Sequence, residues 1–358
     1  MKRLDIRKEP VGRILLIRLR NIGDVLLMVP TIRAFREAFP RSYLAALVNA
    51  GTEEMLTGNP LLDEVLVFDP RWKDLSLGRR ISREGKFVWA VRRRKFDLAV
   101  NLTEGDRGTF LCLASGARIK AGMYHPRGRW WKSRIYDHLV QPPDWKAHTV
   151  EQMLEVPRSL GLQPGDKRVE IFYAAEDREA VSRLLEGEGV SPEDPLVHIH
   201  PTSRWLFKCW RDEAMAAVID ALQESGRGRA VLTSGGEERE LRKVESILKF
   251  CRTRPANLAG KLTLKQLAAL SRRSRLFLGV DTAPMHIAAA VGTPVIALFG
   301  PSGEFNWGPW GKGHVVIKKD WDCRPCGKDG CEGSKRSRCL EEISEEEVLK
   351  EVYGVLDR

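Results

Sequence analysis

The chain has 358 residues, too many for one ordinary core and enough for two domains of usual size. With 43% hydrophobic and 30% charged residues it reads as globular, which excludes disordered and fibrous classes. Lys and Arg number 59 against 48 Asp and Glu, a net charge of +11. That excess favours an anionic partner: nucleic acid, an acidic membrane surface or a phosphorylated substrate.

The opening MKRLDIRKEP is charged throughout and lacks the apolar centre of a signal peptide, so the expectation is a soluble protein that stays where it is made. ILLI (14–17) predicts a buried parallel strand, with a helix over 24–38 behind it. YLAALV (43–48), EVLVF (64–68), FDLAVNL (96–102) and ARIKAG (117–122) are further strand candidates. Strand and helix alternating in this rhythm argue for a parallel sheet covered on both faces. GLQPGDKR (161–168), rich in Gly, Pro and charge, marks a linker and sets expected domains at 1–165 and 166–358.

The rhythm then repeats. PLVHIHP (195–201) is a strand, and residues 212–224 put Ala214, Met215, Val218, Ile219 and Leu222 on one helical face. RAVLTSG (229–235) is a strand whose Gly-Gly turn opens a charged helix. Thr263 and Gln266 form a capping box over a helix at 264–272. RLFLGVD (275–281) and TPVIALFG (293–300) are strands around a helix at 283–291. The longest apolar tract, 287–300, is broken by Gly292, Thr293 and Pro294 and cannot span a membrane as one helix. A last helix, 345–356, has Ser344 and Glu347 as its capping box and Val348, Leu349, Val352 and Leu356 as its stripe. The expected fold class is α/β: two Rossmann-like doubly wound domains facing a central cleft, with ligands beyond the carboxyl ends of the strands.

Three loops of the second half end successive strands. GVDTAPMH starts a helix with Pro284 in its first turn, and the N–H groups of Thr282, Ala283 and Met285 with the helix dipole suit a diphosphate. Asp281 is suited to sugar hydroxyls and His286 lies one turn in; the ordinary alternative is that Asp281 or Thr282 merely caps the helix. HPTSRWLFKCW carries hydroxyls on Thr202 and Ser203 and a cation on Lys208, suited to offset charge on a leaving diphosphate. In SGGEERE, Glu237 is suited to the two hydroxyls of a ribose. In the first half, RLRNIGDV follows the first strand: Gly23 permits a tight turn and Asp24 begins the next helix, where an N-cap with no chemistry is the ordinary alternative.

The HPTS…K…W stretch, the SGGE turn, DTAPMHIAAAVGTPVIALFGPS and RLRNIGDVLLMVPTIRAFREAFP together resemble glycosyltransferase family 9, the heptosyltransferases of the lipopolysaccharide inner core, over nearly the whole chain. The resemblance implies a GT-B fold with an acceptor-binding first domain and a nucleotide-sugar-binding second one. It implies inverting, metal-independent transfer of heptose from ADP-heptose to the lipopolysaccharide core. Thr202, Ser203, Lys208, Glu237, Asp281, Thr282, Ala283 and His286 would line the donor pocket, and Arg18, Arg20, Asn21 and Gly23 the acceptor side. Asp24 would be the base that takes the acceptor hydroxyl's proton, held ionised by its helix start, with Lys208 assisting the leaving group. Two departures stand out: Ala283 where some members have Gly, and the bulky Trp205, Leu206 and Phe207 before Lys208.

Basic clusters at Arg79, Arg80, Arg92, Arg93, Arg94 and Lys95, and in YHPRGRWWKSRIY (124–136) with Trp130 and Trp131, read either as solvated surface or as a dock on the acidic inner leaflet. The expected place is therefore the cytoplasm, peripheral on the inner membrane, gripping a phosphorylated glycolipid. Cys323, Cys326, Cys331 and Cys339 sit in a loop (320–340) with spacing that fits a structural zinc site, reduced thiols or a redox pair. Such loops occur in the heptosyltransferase III branch, and no cofactor is expected to be required. Asp320 and Asp322 form a D-x-D that is a coincidence in a fold of this type. Transfer from another nucleotide-sugar remains the alternative. A nucleic-acid binder with a zinc knuckle lacks an aromatic-basic surface strand, and a dehydrogenase would want G-x-G-x-x-G where RLRNIG stands; no nucleic-acid partner is expected.

Overall fold

The computed structural model describes residues 5–124, 130–141 and 144–357. They form two compact units, Met1–Phe172 and Tyr173–Arg358. The first contains strands β1 (Arg13–Arg18), β2 (Tyr43–Asn49), β3 (Glu64–Phe68), β4 (Leu98–Asn101), β5 (Ile119–Met123) and β6 (His138–Val140), in the spatial order β3-β2-β1-β4-β5-β6. Every neighbouring pair is parallel. Ile14, Leu15, Leu16 and Ile17 are fully buried, because helices cover both faces of the sheet. Each such side chain contributes roughly 1.5–3 kcal/mol.

The second unit repeats the plan with β7 (Leu196–His200), β8 (Arg229–Leu232), β9 (Ala256–Asn257), β10 (Leu276–Val280), β11 (Val295–Leu298) and β12 (Val315–Ile317), ordered β12-β11-β10-β7-β8-β9 and again all parallel. In each unit the connections reverse direction between the first and fourth strands, β1 and β4 or β7 and β10. That is the place where open α/β sheets leave a crevice for ligands. At the second reversal β10 approaches β7 so closely that a Cβ on Gly279 would lie 2.8 Å from the His200 carbonyl oxygen.

Local signals in the sequence are realised in detail. Gln266 N–H donates to Thr263 Oγ1 at 3.2 Å and Thr263 N–H to Gln266 Oε1 at 3.1 Å, the expected capping box over Leu264–Arg273. Ser344 and Glu347 do the same over Glu345–Leu356. The apolar face of Asp212–Glu224 is buried at Ala214, Met215, Val218, Ile219 and Leu222.

The helix expected over 24–38 is instead two, Ile22–Leu26 and Val29–Ala38. Pro30 has no N–H to continue an incoming helix and is suited to the first turn of a new one, where it sits. Gly23 accordingly lies inside the first helix, and its carbonyl accepts from Leu27 N–H at 3.0 Å; it makes no tight turn. Within the first unit, Arg33 ties down the end of the Gly-Pro segment and the residues after it by pairing with Asp166 at 3.5 Å and with Glu170. Among the described residues no helix is long and apolar enough to cross a membrane.

Candidate active site

In the first unit the chain leaves β1 at Arg18 and enters the helix Ile22–Leu26, whose first turn contains Asp24. The carboxylate does not project freely: Asp24 is 5% exposed. Arg18 Nη2 donates to Asp24 Oδ1 at 2.6 Å, Arg20 Nε lies 3.5 Å from the same oxygen, and Asn21 Nδ2 approaches Oδ2 at 3.5 Å. Arg18, itself only 4% exposed, also donates to the Leu102 carbonyl at the end of β4. Burial lowers the pKa of its guanidinium, and the neighbouring Asp24 carboxylate opposes that shift. Arg18 is thus engaged inside the fold as the partner of Asp24, while 39% of the Arg20 side chain is exposed. Across the reversal Leu19 N–H donates to Thr103 Oγ1 at 2.8 Å, which locks the β1 loop onto the β4 loop.

In the second unit three strand ends come together because β10, β7 and β8 are neighbours. Lys208 Nζ donates to Asp281 Oδ2 at 2.6 Å, with the two side chains 17% and 10% exposed. Lys208 also lies 5.1 Å from the centre of the Trp205 ring, so one of the loop's bulky residues sits beside the cation in a cation–π contact. Trp205 and Leu206 remain exposed, and the Phe207 carbonyl is held by Ser337 Oγ at 2.6 Å. The segment around the clustered cysteines therefore braces this loop from behind.

The helix Ala283–Ala290 starts where the sequence places it, with Pro284 in its first turn. Thr282 occupies the N-cap position, yet its side chain makes no capping hydrogen bond, so the plain capping role does not account for it. One of the three amides expected to serve an anion is engaged: Met285 N–H donates to the Thr282 carbonyl at 3.2 Å, closing the first turn. Thr282 and Ala283 are left as the amides at the helix head. His286 is 5% exposed in the same turn.

Thr202 and Ser203 are 0% and 2% exposed. Glu237 is exposed, pairs with Arg239 at 2.5 Å and stands at the N-cap of Glu238–Phe250. One turn further on, Glu240 is buried and accepts from Thr202 Oγ1 at 3.1 Å. Sequence reasoning passed over Glu240, His198, His200 and Thr233; polar residues at alternate positions of an otherwise apolar buried strand were the available signal.

The zinc site expected on Cys323, Cys326, Cys331 and Cys339 finds no support in the geometry. All four thiols are free, and among the described residues no three His, Cys, Asp or Glu side chains are grouped to hold a metal ion. Their settings diverge: Cys323 is exposed, while Cys339 is buried on the short helix Arg338–Glu341, and burial pushes its thiol pKa up. Of the basic stretch 124–136, residues 125–129 lie outside the described residues.

Residues 85–336 match the family model described as glycosyltransferase family 9 (heptosyltransferase). The chain is 35% identical over 295 residues to lipopolysaccharide heptosyltransferase 3 of Escherichia coli, covering 82% of this chain and 84% of that one. The glycosyl transferase family 9 structure from Veillonella parvula is similar over 96% of this chain and 97% of its own, with a TM-score of 0.83 and 25% identity. The Escherichia coli heptosyltransferase WaaC with ADP has the same fold, at a TM-score of 0.73 and 18% identity over 96% of this chain and 99% of that one. Two parallel-sheet α/β units of GT-B type, a matched family model across most of the chain and a relative above 30% identity agree: the chain belongs to glycosyltransferase family 9.

Proposed function

We propose that the protein transfers heptose from ADP-heptose to the inner core of lipopolysaccharide, with inversion at the anomeric carbon. The observation that carries this reading is the 2.6 Å pair of Lys208 and Asp281 at the β7/β10 reversal, beside the helix head at Thr282 and Ala283. A diphosphate seated there meets a cation, helix-start amides and the positive end of a helix dipole. The acceptor hydroxyl attacks C1 of the sugar, the bond from C1 to the phosphate oxygen breaks, and the diphosphate departs with the negative charge. Asp24 takes the hydroxyl proton on Oδ2, the oxygen less engaged by arginine. Lys208 stabilises charge that grows as the bond breaks, which favours the transition state over the bound substrate. Asp281, released from Lys208 by the diphosphate, turns to the sugar hydroxyls. Positive charge comes from the protein throughout, so a metal is not required on this reading.

Nucleotide preference tests the donor. Heat-stability scans with ADP, UDP, GDP and CDP should give a clear upward shift with ADP, since a ligand at a hundred times its Kd adds about 2.7 kcal/mol. A larger shift with UDP or GDP would replace heptose by another sugar.

The acceptor is a lipid-borne glycan, and the helix Leu77–Arg92 supports work at a membrane surface. Leu77, Ile81 and Trp89 are 73%, 63% and 60% exposed and fall within about 120° of the helix circumference. Arg79, Arg83 and Lys86 are exposed on another side. A basic amphipathic helix of this kind lies in an anionic lipid interface, which gives a cytoplasmic enzyme peripheral on the inner membrane. Arg79→Glu with Arg83→Glu should lower binding to phosphatidylglycerol vesicles at least about tenfold. Equal sedimentation of variant and parent with those vesicles would remove this helix from membrane docking.

A further inference from the structure

A strand buried on both faces is normally built from Val, Ile and Leu, yet β7 carries His198 and His200, 0% and 2% exposed. Buried imidazoles are costly unless both ring nitrogens find partners. Here they do. His198 Nδ1 is 2.9 Å from Ser271 Oγ and its Nε2 is 2.7 Å from Thr233 Oγ1. His200 Nδ1 is 2.8 Å from the same Thr233 oxygen, and its Nε2 is 3.4 Å from Thr202 Oγ1. Thr202 in turn donates to Glu240 Oε1 at 3.1 Å. Ser271, Thr233 and Thr202 are at most 1% exposed, and Glu240 7%. Burial pushes His200 down to about 3 and His198 well below the ordinary histidine range, so both rings are neutral, each with one donor and one acceptor.

We infer that Ser271, His198, Thr233, His200, Thr202 and Glu240 form one proton-ordered hydrogen-bond chain that fixes the β7 loop in its ligand-binding shape. The proposal rests on the reading above that this loop serves the nucleotide. Its direction follows from the terminus. A carboxylate only accepts, so the Thr202 hydroxyl proton points to Glu240 and the Thr202 oxygen is left to accept from His200 Nε2–H. His200 Nδ1 must then accept, which turns the Thr233 proton toward it. The Thr233 oxygen accepts from His198 Nε2–H, and His198 Nδ1 accepts from the Ser271 hydroxyl. Both histidines are Nε2–H tautomers, and no hydroxyl proton in the chain is left over. Thr202 is therefore a positioning residue: its only proton is committed to Glu240, and it acts through the loop rather than on a phosphate.

The chain joins four elements. Ser271 comes from the helix Leu264–Arg273, the histidines from β7, Thr233 from the residue after β8, and Glu240 from the first turn of Glu238–Phe250. The β8 turn closes over its end, since a Cβ on Gly235 would lie 2.4 Å from Glu240 Oε2. One polar chain thus sets the β7 loop, with Ser203 and Lys208 on it, against the β8 turn.

The test uses the full-length protein with 15N-labelled histidine; only seven histidines contribute signals. Two neutral Nε2–H tautomers are expected for His198 and His200, assigned by their loss in His198→Gln and His200→Gln. Thr233→Val removes the central hydroxyl at nearly constant volume and should raise the Kd for ADP about tenfold and shift the backbone amides of residues 202–208. Thr233→Ser should restore both. An Nδ1–H tautomer at either ring, or unmoved loop amides in Thr233→Val, would overturn the proposal. Failure of the parent protein to bind ADP would instead count against the nucleotide reading, because the tautomer and amide signals do not depend on ADP.

Discussion

Asp24→Asn lowers turnover by about 10²–10⁴-fold, the usual contribution of a positioned general base, and leaves ADP binding unchanged. Asparagine keeps an oxygen for Arg18 but cannot take a proton. Activity is lost without removal of the group that orients the loop. The substitution also has a stability cost that must be read separately. Arg18 and Asp24 are 4% and 5% exposed, so the variant leaves a buried guanidinium without its counter-charge. Breaking such a pair from one side costs about 3–5 kcal/mol, and the retained hydrogen bond should keep the loss near the lower end. Denaturant unfolding of the variant measures that cost, and turnover is compared only where both proteins are folded. A variant that is destabilised yet still turns over at a tenth of the parent rate or better would make Asp24 a structural partner of Arg18 and no base.

Lys208→Met should reduce kcat/KM by about 10²–10³-fold, the scale seen when one preorganised electrostatic contact to developing charge is removed. Most of the loss falls on kcat, because the cation matters more as the diphosphate leaves than while the sugar is still attached. The same change leaves the Asp281 carboxylate, with 10% of its side chain exposed, without its 2.6 Å partner. Adding Asp281→Asn should therefore recover thermal stability but not turnover, and the two readouts should separate in a double-mutant cycle. Turnover of Lys208→Met within threefold of the parent would show that the pair only holds the strand ends together.

The two sheets were legible because parallel strands covered on both faces are written as unbroken apolar runs, and ILLI at 14–17 is such a run. Both capping boxes were legible because their residues stand at a fixed spacing. The edge strands His138–Val140, Ala256–Asn257 and Val315–Ile317 were not, since two or three residues carry no period. Candidate positions at strand ends could be read from punctuation such as Gly-Gly before Glu237 and Pro284 after Asp281. Their partners could not. Arg18 is the last residue of β1 and looks like an arm for an acceptor, yet it folds back onto Asp24 and the Leu102 carbonyl. Glu240 looks like one more charge on a solvated helix, and only the three-dimensional neighbourhood of Thr202 reveals it as the end of a buried chain. Spacing in sequence gives the direction of a side chain, whereas its hydrogen-bond partner depends on elements far away along the chain.

The most direct measurement is a product assay with the purified protein, ADP-heptose and heptose-deficient inner-core glycolipid, read by mass spectrometry. A glycolipid heavier by one heptose, appearing together with one ADP per transfer and absent with Asp24→Asn, is the predicted result. An unmodified glycolipid in the presence of a folded, ADP-binding protein, with transfer appearing only from another nucleotide-sugar or to another acceptor, would contradict it.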